Sequence, residues 1–152
     1  MKFLFSSLLV LFVVLSVHGQ EPTIAHKDSL NRLVEQYYQL SLKIYRKDSQ
    51  PKDINKLFDL FTEDFEYIHP KYGGIYTRED LYDGYLRNQK NGAYDGSIVD
   101  LIVKNKIIGL NAVATDRAYL KKVQNGKPQE VDRGMTVFEF KHGKISRIYE
   151  YW

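Results

Sequence analysis

The chain contains no cysteine among its 152 residues. That excludes disulfides, a thiol nucleophile and thiolate metal ligation, so packing alone must hold the fold. It also lacks any block of like charge. Its 22 basic and 19 acidic residues are interspersed, for a formal net charge of +3, and such a distribution carries no footprint for nucleic acid. There is no HExxH, no close triad of His, Asp and Glu, no Gly-rich phosphate loop, no GxSxG and no Asn-x-Ser/Thr. Metal-dependent hydrolysis, nucleotide binding and serine-hydrolase chemistry therefore have no support, and neither a metal nor a cofactor is expected.

Long apolar runs are missing except at one end. Residues 3–17 are almost unbroken in their apolarity, preceded by Lys2 and followed by the small Gly19. The run is short and lacks a basic stop-transfer flank, so it reads as a secretory signal over residues 1–19 rather than a membrane span; an uncleaved anchor is the alternative. Residues 20–27 read as a linker and 28–152 as the domain. The expected location is exported, periplasmic or secreted, with no membrane attachment after signal removal. Losing Lys2 with the signal leaves 21 basic against 19 acidic residues in one domain of ordinary size.

What is abundant is tyrosine, twelve in all, a residue suited to surfaces apolar in body and polar at the tip. Along the chain, Leu30, Leu33, Val34, Tyr37, Ser41, Ile44 and Tyr45 recur at helical spacing and predict a helix over 28–46, capped by Asp28 or Ser29. After a break at Pro51, Asp53 is placed to cap a short helix carrying Ile54, Leu57, Phe58 and Phe61. A strand follows, with Phe65 and Tyr67 on one side, ending at His69-Pro70. Gly73-Gly74 predicts a turn, and Thr77 with Asp80 forms a capping box opening a third helix bearing Leu81, Tyr82, Tyr85 and Leu86. Asn91-Gly92 ends that helix. The remainder reads as strands over 97–110, 112–123, 130–141 and 144–152, with turns at Asn125-Gly126 and His142-Gly143. Three helices followed by a long meander predict an α+β domain whose helices cover one face of a strongly curved sheet.

The words LFTEDFEYIHP, GGIYTREDL and KHGKISRIYEYW, in this order of elements, resemble the nuclear transport factor 2-like superfamily, also called SnoaL-like. The resemblance implies a cone-shaped, strongly curved antiparallel or mixed sheet wrapped over three N-terminal helices, with an internal pocket. Members of that superfamily range from isomerases and dehydratases to pure binding modules, so function must be argued from the site. More distantly the chain resembles ketosteroid isomerase. His69 falls where that family has its general-base aspartate, and Tyr45 where it has its oxyanion-hole tyrosine. Tyr85 falls on a supporting tyrosine, and Trp152 on a pocket-lining tryptophan. The family's protonated acid falls on Met135, so the resemblance implies one phenol donor without the acid.

His69 is thus the candidate base, with an ordinary pKa of about 6.5. The competing reading is a histidine that closes the strand end and donates to a backbone carbonyl. Tyr45 and Tyr85 are candidate donors to a ligand oxygen or, alternatively, core tyrosines. Strand parity extends the expected lining. If Met135 faces inward, so do Val131, Arg133 and Val137; if Trp152 does, so do Ile148 and Glu150. Arg133 and Glu150 then either pair on the wall, with Glu150 orienting His69, or sit solvated at the rim. The expected site comprises His69, Tyr45 and Glu150 for chemistry, with Tyr85, Tyr67, Met135, Trp152, Arg133 and Ile148 contacting ligand. Tyr149, Tyr151, Phe138 and Phe140 are expected on the outer sheet face, which calls for a cover, and the resemblance implies a homodimer through that face.

The expected function is therefore an exported protein binding a small, largely apolar, oxygen-containing molecule, with or without cofactor-free proton transfer of the isomerase or dehydratase type. The alternatives are a non-catalytic ligand-binding module and a homodimeric interaction domain.

Overall fold

The computed structural model describes residues 23–124 and 126–152. The expected signal over residues 1–19 lies outside them. Among the described residues no helix is long and apolar enough to cross a membrane.

Helix α1 (Ile24–Ile44) begins at Thr23, whose hydroxyl accepts from the His26 N–H. It therefore starts four residues before the expected cap and takes up half of the expected linker. Its buried stripe is Leu30, Val34, Tyr37, Tyr38, Ser41 and Ile44, as the heptad-like spacing predicts. Helix α2 (Pro51–Phe58) starts at Pro51, a residue pre-set for a first helical turn. Asp53 sits inside this helix instead of capping it; its carboxylate accepts from the Gln50 N–H at 3.0 Å and pairs with Lys43 at 2.8 Å. Helix α3 (Arg78–Lys90) has the predicted capping box. The Asp80 N–H donates to the Thr77 hydroxyl, while the Asp80 carboxylate accepts from the Thr77 N–H at 2.9 Å.

Six strands form one mixed sheet: β1 (Phe61–His69), β2 (Gly74–Thr77), β3 (Ile98–Ile108), β4 (Ala112–Lys121), β5 (Gln129–Lys141) and β6 (Lys144–Tyr151). Their spatial order is β2-β1-β6-β5-β4-β3. The meander from β3 to β6 is antiparallel, and β6 then returns beside β1 in parallel. That single parallel pair brings the C-terminal ends of β1 and β6 together, at His69 and Trp152. The short β2 was not foreseen. Pro70–Tyr72 make a single 3-10 turn, Gly73 takes the left-handed conformation at φ 76°, and Gly74–Thr77 pair back onto β1.

The core lies between the helices and the inner sheet face. Val34, Ile44, Ile54, Leu57, Phe58, Phe61, Phe65, Phe138, Ile145 and Ile148 are essentially inaccessible. Each such side chain contributes roughly 1.5–3 kcal/mol by leaving water. Two of the expected outer residues are found here: Phe138 and Phe140 point inward and are buried, whereas Met135 is 45 % exposed on the outer face with Val137.

A one-residue irregularity explains the exchange. The hairpin turn uses His142 and Gly143, both at positive φ, and pairs Lys141 with Lys144 and Phe140 with Ile145. A bulge between Glu139 and Phe140 then shifts the register, so that Phe138 pairs with Ile148 and Thr136 with Glu150. Without the bulge Val137 would oppose Ile148 and Met135 would share the inner face. One residue of slip exchanges the two faces of a strand.

Candidate functional site

The parity that the bulge sets decides which side chains meet over the inner face. Tyr67 of β1 pairs across the parallel ladder with Ile148 of β6, which places His69 beyond it, at the strand end beside Glu150 and Trp152. A cavity of about 310 Å³ opens there, between α1, α3 and the open end of the sheet. Aromatic rings dominate its wall: Tyr45, Tyr67, Tyr72, Tyr76, Tyr85, Tyr94 and Trp152, together with His69; the exposed Asp80 and Arg87 also line it.

His69 is 1 % exposed and neither ring nitrogen has a hydrogen-bond partner. The reading in which it donates to a backbone carbonyl is thus not what the structure contains. Its ring is packed against Tyr72, with centroids 4.3 Å apart, and against Trp152 edge-to-face at 4.8 Å. Burial holds its pKa below the ordinary value; the carboxylate of Glu150 opposes that, and the cations Lys71 and Arg117 reinforce it. At neutral pH the imidazole is therefore uncharged, able to accept at one nitrogen and donate at the other.

The phenols are likewise neutral. Burial raises Tyr45, and raises Tyr67 and Tyr85 further, while Tyr94 is pushed up to about 12. The Tyr45 hydroxyl lies 3.5 Å from that of Tyr119, its main hydrogen-bond partner, with Tyr85 a weaker one. Among the described residues the Tyr67 hydroxyl makes no hydrogen bond to another protein group, while Tyr85 acts as a weak partner of the Tyr45 phenol. Both phenols line the cavity.

Glu150 is buried as parity predicts, but it does not hydrogen-bond to His69. Its Oε2 accepts three bonds: from Arg117 Nη2 at 2.7 Å, Thr136 Oγ1 at 2.8 Å and Trp152 Nε1 at 2.8 Å. Arg117 completes its own satisfaction by donating to the Asp132 carbonyl at 2.7 Å and to the Thr136 hydroxyl at 3.2 Å. Asp132 holds a positive φ of 49°, at a second break in register where Arg117 pairs with Gly134 and Tyr119 with Val131. Arg117 is the largest fully buried side chain of the domain. Sequence reasoning missed it, although Val113, Thr115, Arg117 and Tyr119 share one face of β4 and a charge in that series was the available signal.

Two expected lining residues lie elsewhere. Met135 is on the outer face, and Arg133 is exposed there, bonded to Asp116 at 2.7 and 3.1 Å instead of to Glu150. Ile148 is inward but belongs to the packed core. Tyr45, Tyr67, Tyr85, His69 and Trp152 do converge on the one cavity. Among the described residues no three His, Asp or Glu side chains gather as a metal-binding group.

The model of the SnoaL-like domain matches residues 43–148, which span β1 to β6 and nearly all of this wall. The chain belongs to the SnoaL-like family. Similar solved structures agree on the architecture of this SnoaL-like domain. They include a nuclear transport factor 2-like protein of unknown function from Burkholderia xenovorans (18 % identity, TM-score 0.57, covering 82 % of this chain and 83 % of that one). A putative ketosteroid isomerase from Kribbella flavida is 16 % identical with TM-score 0.57, covering 82 % and 78 %. A protein of ketosteroid isomerase-like fold from Catenulispora acidiphila, in complex with trimethylamine, is 18 % identical with TM-score 0.53, covering 79 % and 84 %. At such identities the likeness is one of fold: the cone of a curved, unclosed sheet over three helices. No curated protein matches the chain.

Proposed function

We propose that the chain is an exported protein that binds a small, largely apolar molecule carrying at least one acceptor oxygen, in the cavity beside His69. The observation that carries this reading is the convergence of weakly bonded phenol hydroxyls and an unpartnered, neutral imidazole on one aromatic-walled hollow of about 310 Å³. That volume is at the small end of ligand sites. Among the described residues the buried cation behind the wall, Arg117, is neutralised by Glu150, which favours an uncharged ligand. The Catenulispora neighbour was solved in complex with a small molecule, which supports reading a fold of this kind as able to hold a ligand.

The same geometry suits proton transfer without a cofactor. A neutral His69 takes a proton from a carbon next to a carbonyl, and Tyr45 donates to the oxygen on which negative charge develops. One such donor contributes a few kcal/mol when water is excluded. Met135, on the outer face, brings no acid to the oxygen. Isomerisation or dehydration of a weakly acidic substrate is the chemistry this set supports. The test is mass spectrometry of small molecules that co-purify with the protein under native conditions, repeated on Tyr45→Phe and His69→Ala. Both variants are expected to lose the bound molecule or its turnover. Unchanged occupancy and turnover in both would remove these residues from the site.

A second reading has its own observation. Ile75, Ile68, Tyr149, Val137, Ala114 and Ile107 are successive cross-strand partners on the outer face, an apolar row crossing all six strands. Such a row supports a second copy packed sheet to sheet.

A further inference from the structure

His69 presents a conflict. Both ring nitrogens are buried without partners, an arrangement native structures seldom keep unless another state satisfies the group. Yet in the geometry described above no ligand atom can reach them, because the ring is 1 % exposed even though it borders the cavity. The covers are the rings of Tyr72 and Trp152. The two differ in how they are held. Tyr72 is 58 % exposed on the 3-10 turn. Trp152 lies just beyond the end of β6, and its indole is fixed by a specific socket. Nε1 donates to Glu150 Oε2 at 2.8 Å. Gly134 leaves the side chain its room: a Cβ there would fall 2.2 Å from the Trp152 Cβ and 2.9 Å from its Cγ. Lys71 Nζ and Arg117 Cζ lie 5.5 and 5.3 Å from the indole ring. The socket is thus built from β5, β6 and, through Arg117, β4, and its effect is to keep an aromatic plate over the imidazole.

We propose that Trp152 is a gate over His69, and that Glu150 and Gly134 are the positioning residues that hold it shut. The ligand gains the imidazole only when the indole lifts. Glu150 then acts on His69 through the indole, not by a direct hydrogen bond. The gate also sets specificity: a ligand must supply contacts that replace the Nε1–Glu150 bond and the ring packing, or it remains in the outer cavity among the phenols. This inference rests on the reading of the cavity as a ligand site, but its geometry can be tested without any ligand.

Trp152 is the only tryptophan of the chain, so its emission and its quenching by acrylamide report the gate directly. The uncovering of His69 is read by carbethoxylation with diethyl pyrocarbonate, followed by peptide mass spectrometry, with exposed His142 as the internal reference. In the wild-type protein His69 is expected to react far more slowly than His142. Trp152→Ala defines the open limit, with His69 reacting fastest. Gly134→Ala, which forces the indole off its socket, is expected to raise the His69 rate about tenfold and to increase quenching of Trp152, the size expected from losing one charge-assisted hydrogen bond. Glu150→Ala is expected to act in the same direction. Because it strands the Arg117 cation, it is read beside Arg117→Met/Glu150→Ala, which removes both charges. Glu150→Gln keeps an acceptor for the indole N–H and returns the rate toward wild type. A Trp152→Ala protein in which His69 reacts no faster than in wild type overturns the gate. Wild-type rates in Gly134→Ala and in the double variant overturn the positioning roles. Absence of any co-purifying molecule, by contrast, counts against the ligand site and leaves these rates untouched.

Discussion

Arg117 Nη2 stands 2.7 Å from Glu150 Oε2, with the two side chains 1 % and 5 % exposed. Every polar atom this pair needs is close by: the Thr136 hydroxyl, the Asp132 carbonyl and the Trp152 indole N–H. A buried pair of this kind is costly to break from one side, because the surviving charge has no water to turn to. Arg117→Met and Glu150→Met are each expected to destabilise the fold by about 3–5 kcal/mol, and the combination Arg117→Met/Glu150→Met by distinctly less. Urea unfolding of the four proteins checks this. A double variant as unstable as the sum of the single ones would mean that the pair is not energetically coupled.

His69 makes the opposite prediction. Two orphaned nitrogens in a buried ring cost stability, so an apolar side chain of similar volume is expected to be neutral or stabilising at pH 7. His69→Leu should raise the unfolding midpoint or leave it unchanged while abolishing ligand turnover. Marked destabilisation of that variant would show that the imidazole has a structural partner in solution.

The pH dependence follows from the same burial. The folded pKa of His69 lies below its ordinary value, so below about pH 6.5 the unfolded chain binds a proton that the folded chain refuses. Stability must then fall as pH drops through that value, and rise as it is brought back up. His69→Leu should flatten this part of the profile relative to wild type. Thermal unfolding between pH 5 and pH 8 measures it, and equal slopes in the two proteins would place the titration elsewhere.

Much of this site was legible in the sequence. The stripe of the first helix, the capping box at Thr77 and the strand ending at His69 are local patterns, and each is borne out because helix spacing and cap chemistry act within a few residues; Phe61, expected on the second helix, instead opens β1, because that helix ends at Phe58. The inward set Ile148 and Glu150 followed from simple alternation on β6. What was not legible depends on single-residue events in the pairing. Met135 and Phe138 exchange faces because of the bulge opposite Glu139 and Phe140, where Ser146 of β6 has no paired residue on β5, and Met135, Val137 and Phe138 are all apolar enough to look inward. Arg117 is hidden for a related reason. A lone arginine in a strand reads as solvated surface until its partners are known, and those partners come from β5 and β6. The strand β2 is four residues long and begins on glycine, which leaves too short an alternation to register against the turn around it.

Tyr45 separates ligand binding from folding. Among the described residues its hydroxyl meets Tyr119 at the long distance of 3.5 Å and Tyr85 more weakly, so Tyr45→Phe should cost about 1 kcal/mol of stability or less, within the range for one weak hydrogen bond. If Tyr45 donates to the ligand, turnover or occupancy should fall by a factor of ten or more, as one lost donor to developing charge predicts. Urea unfolding and native mass spectrometry on the same preparation give both readings. A large stability loss with intact occupancy would mark Tyr45 as a core residue.

The outer face sets the last expectation. Across its centre run Ile68, Tyr149, Val137 and Ala114, flanked at the ends by Ile75 and Ile107, which are 65 % and 67 % exposed. Tyr149 and Tyr151 lie nearly parallel with centroids 6.4 Å apart, extending a flat aromatic surface beside Met135. On the other side of the row Arg147 bridges Glu66 at 2.6 Å and Glu139 at 3.6 Å, a charged margin that would stay wet in a packed pair. An apolar stripe with a polar border is the anatomy of an interface between copies, and twofold symmetry would lay the stripe on itself. Sedimentation velocity is expected to give a dimer at micromolar concentration. Val137→Lys places a charge at the middle of the stripe in each copy, so it should shift the population to monomer while leaving the circular dichroism of the fold unchanged. A wild-type protein that sediments as a monomer at every accessible concentration would leave the stripe without a second copy as its cover.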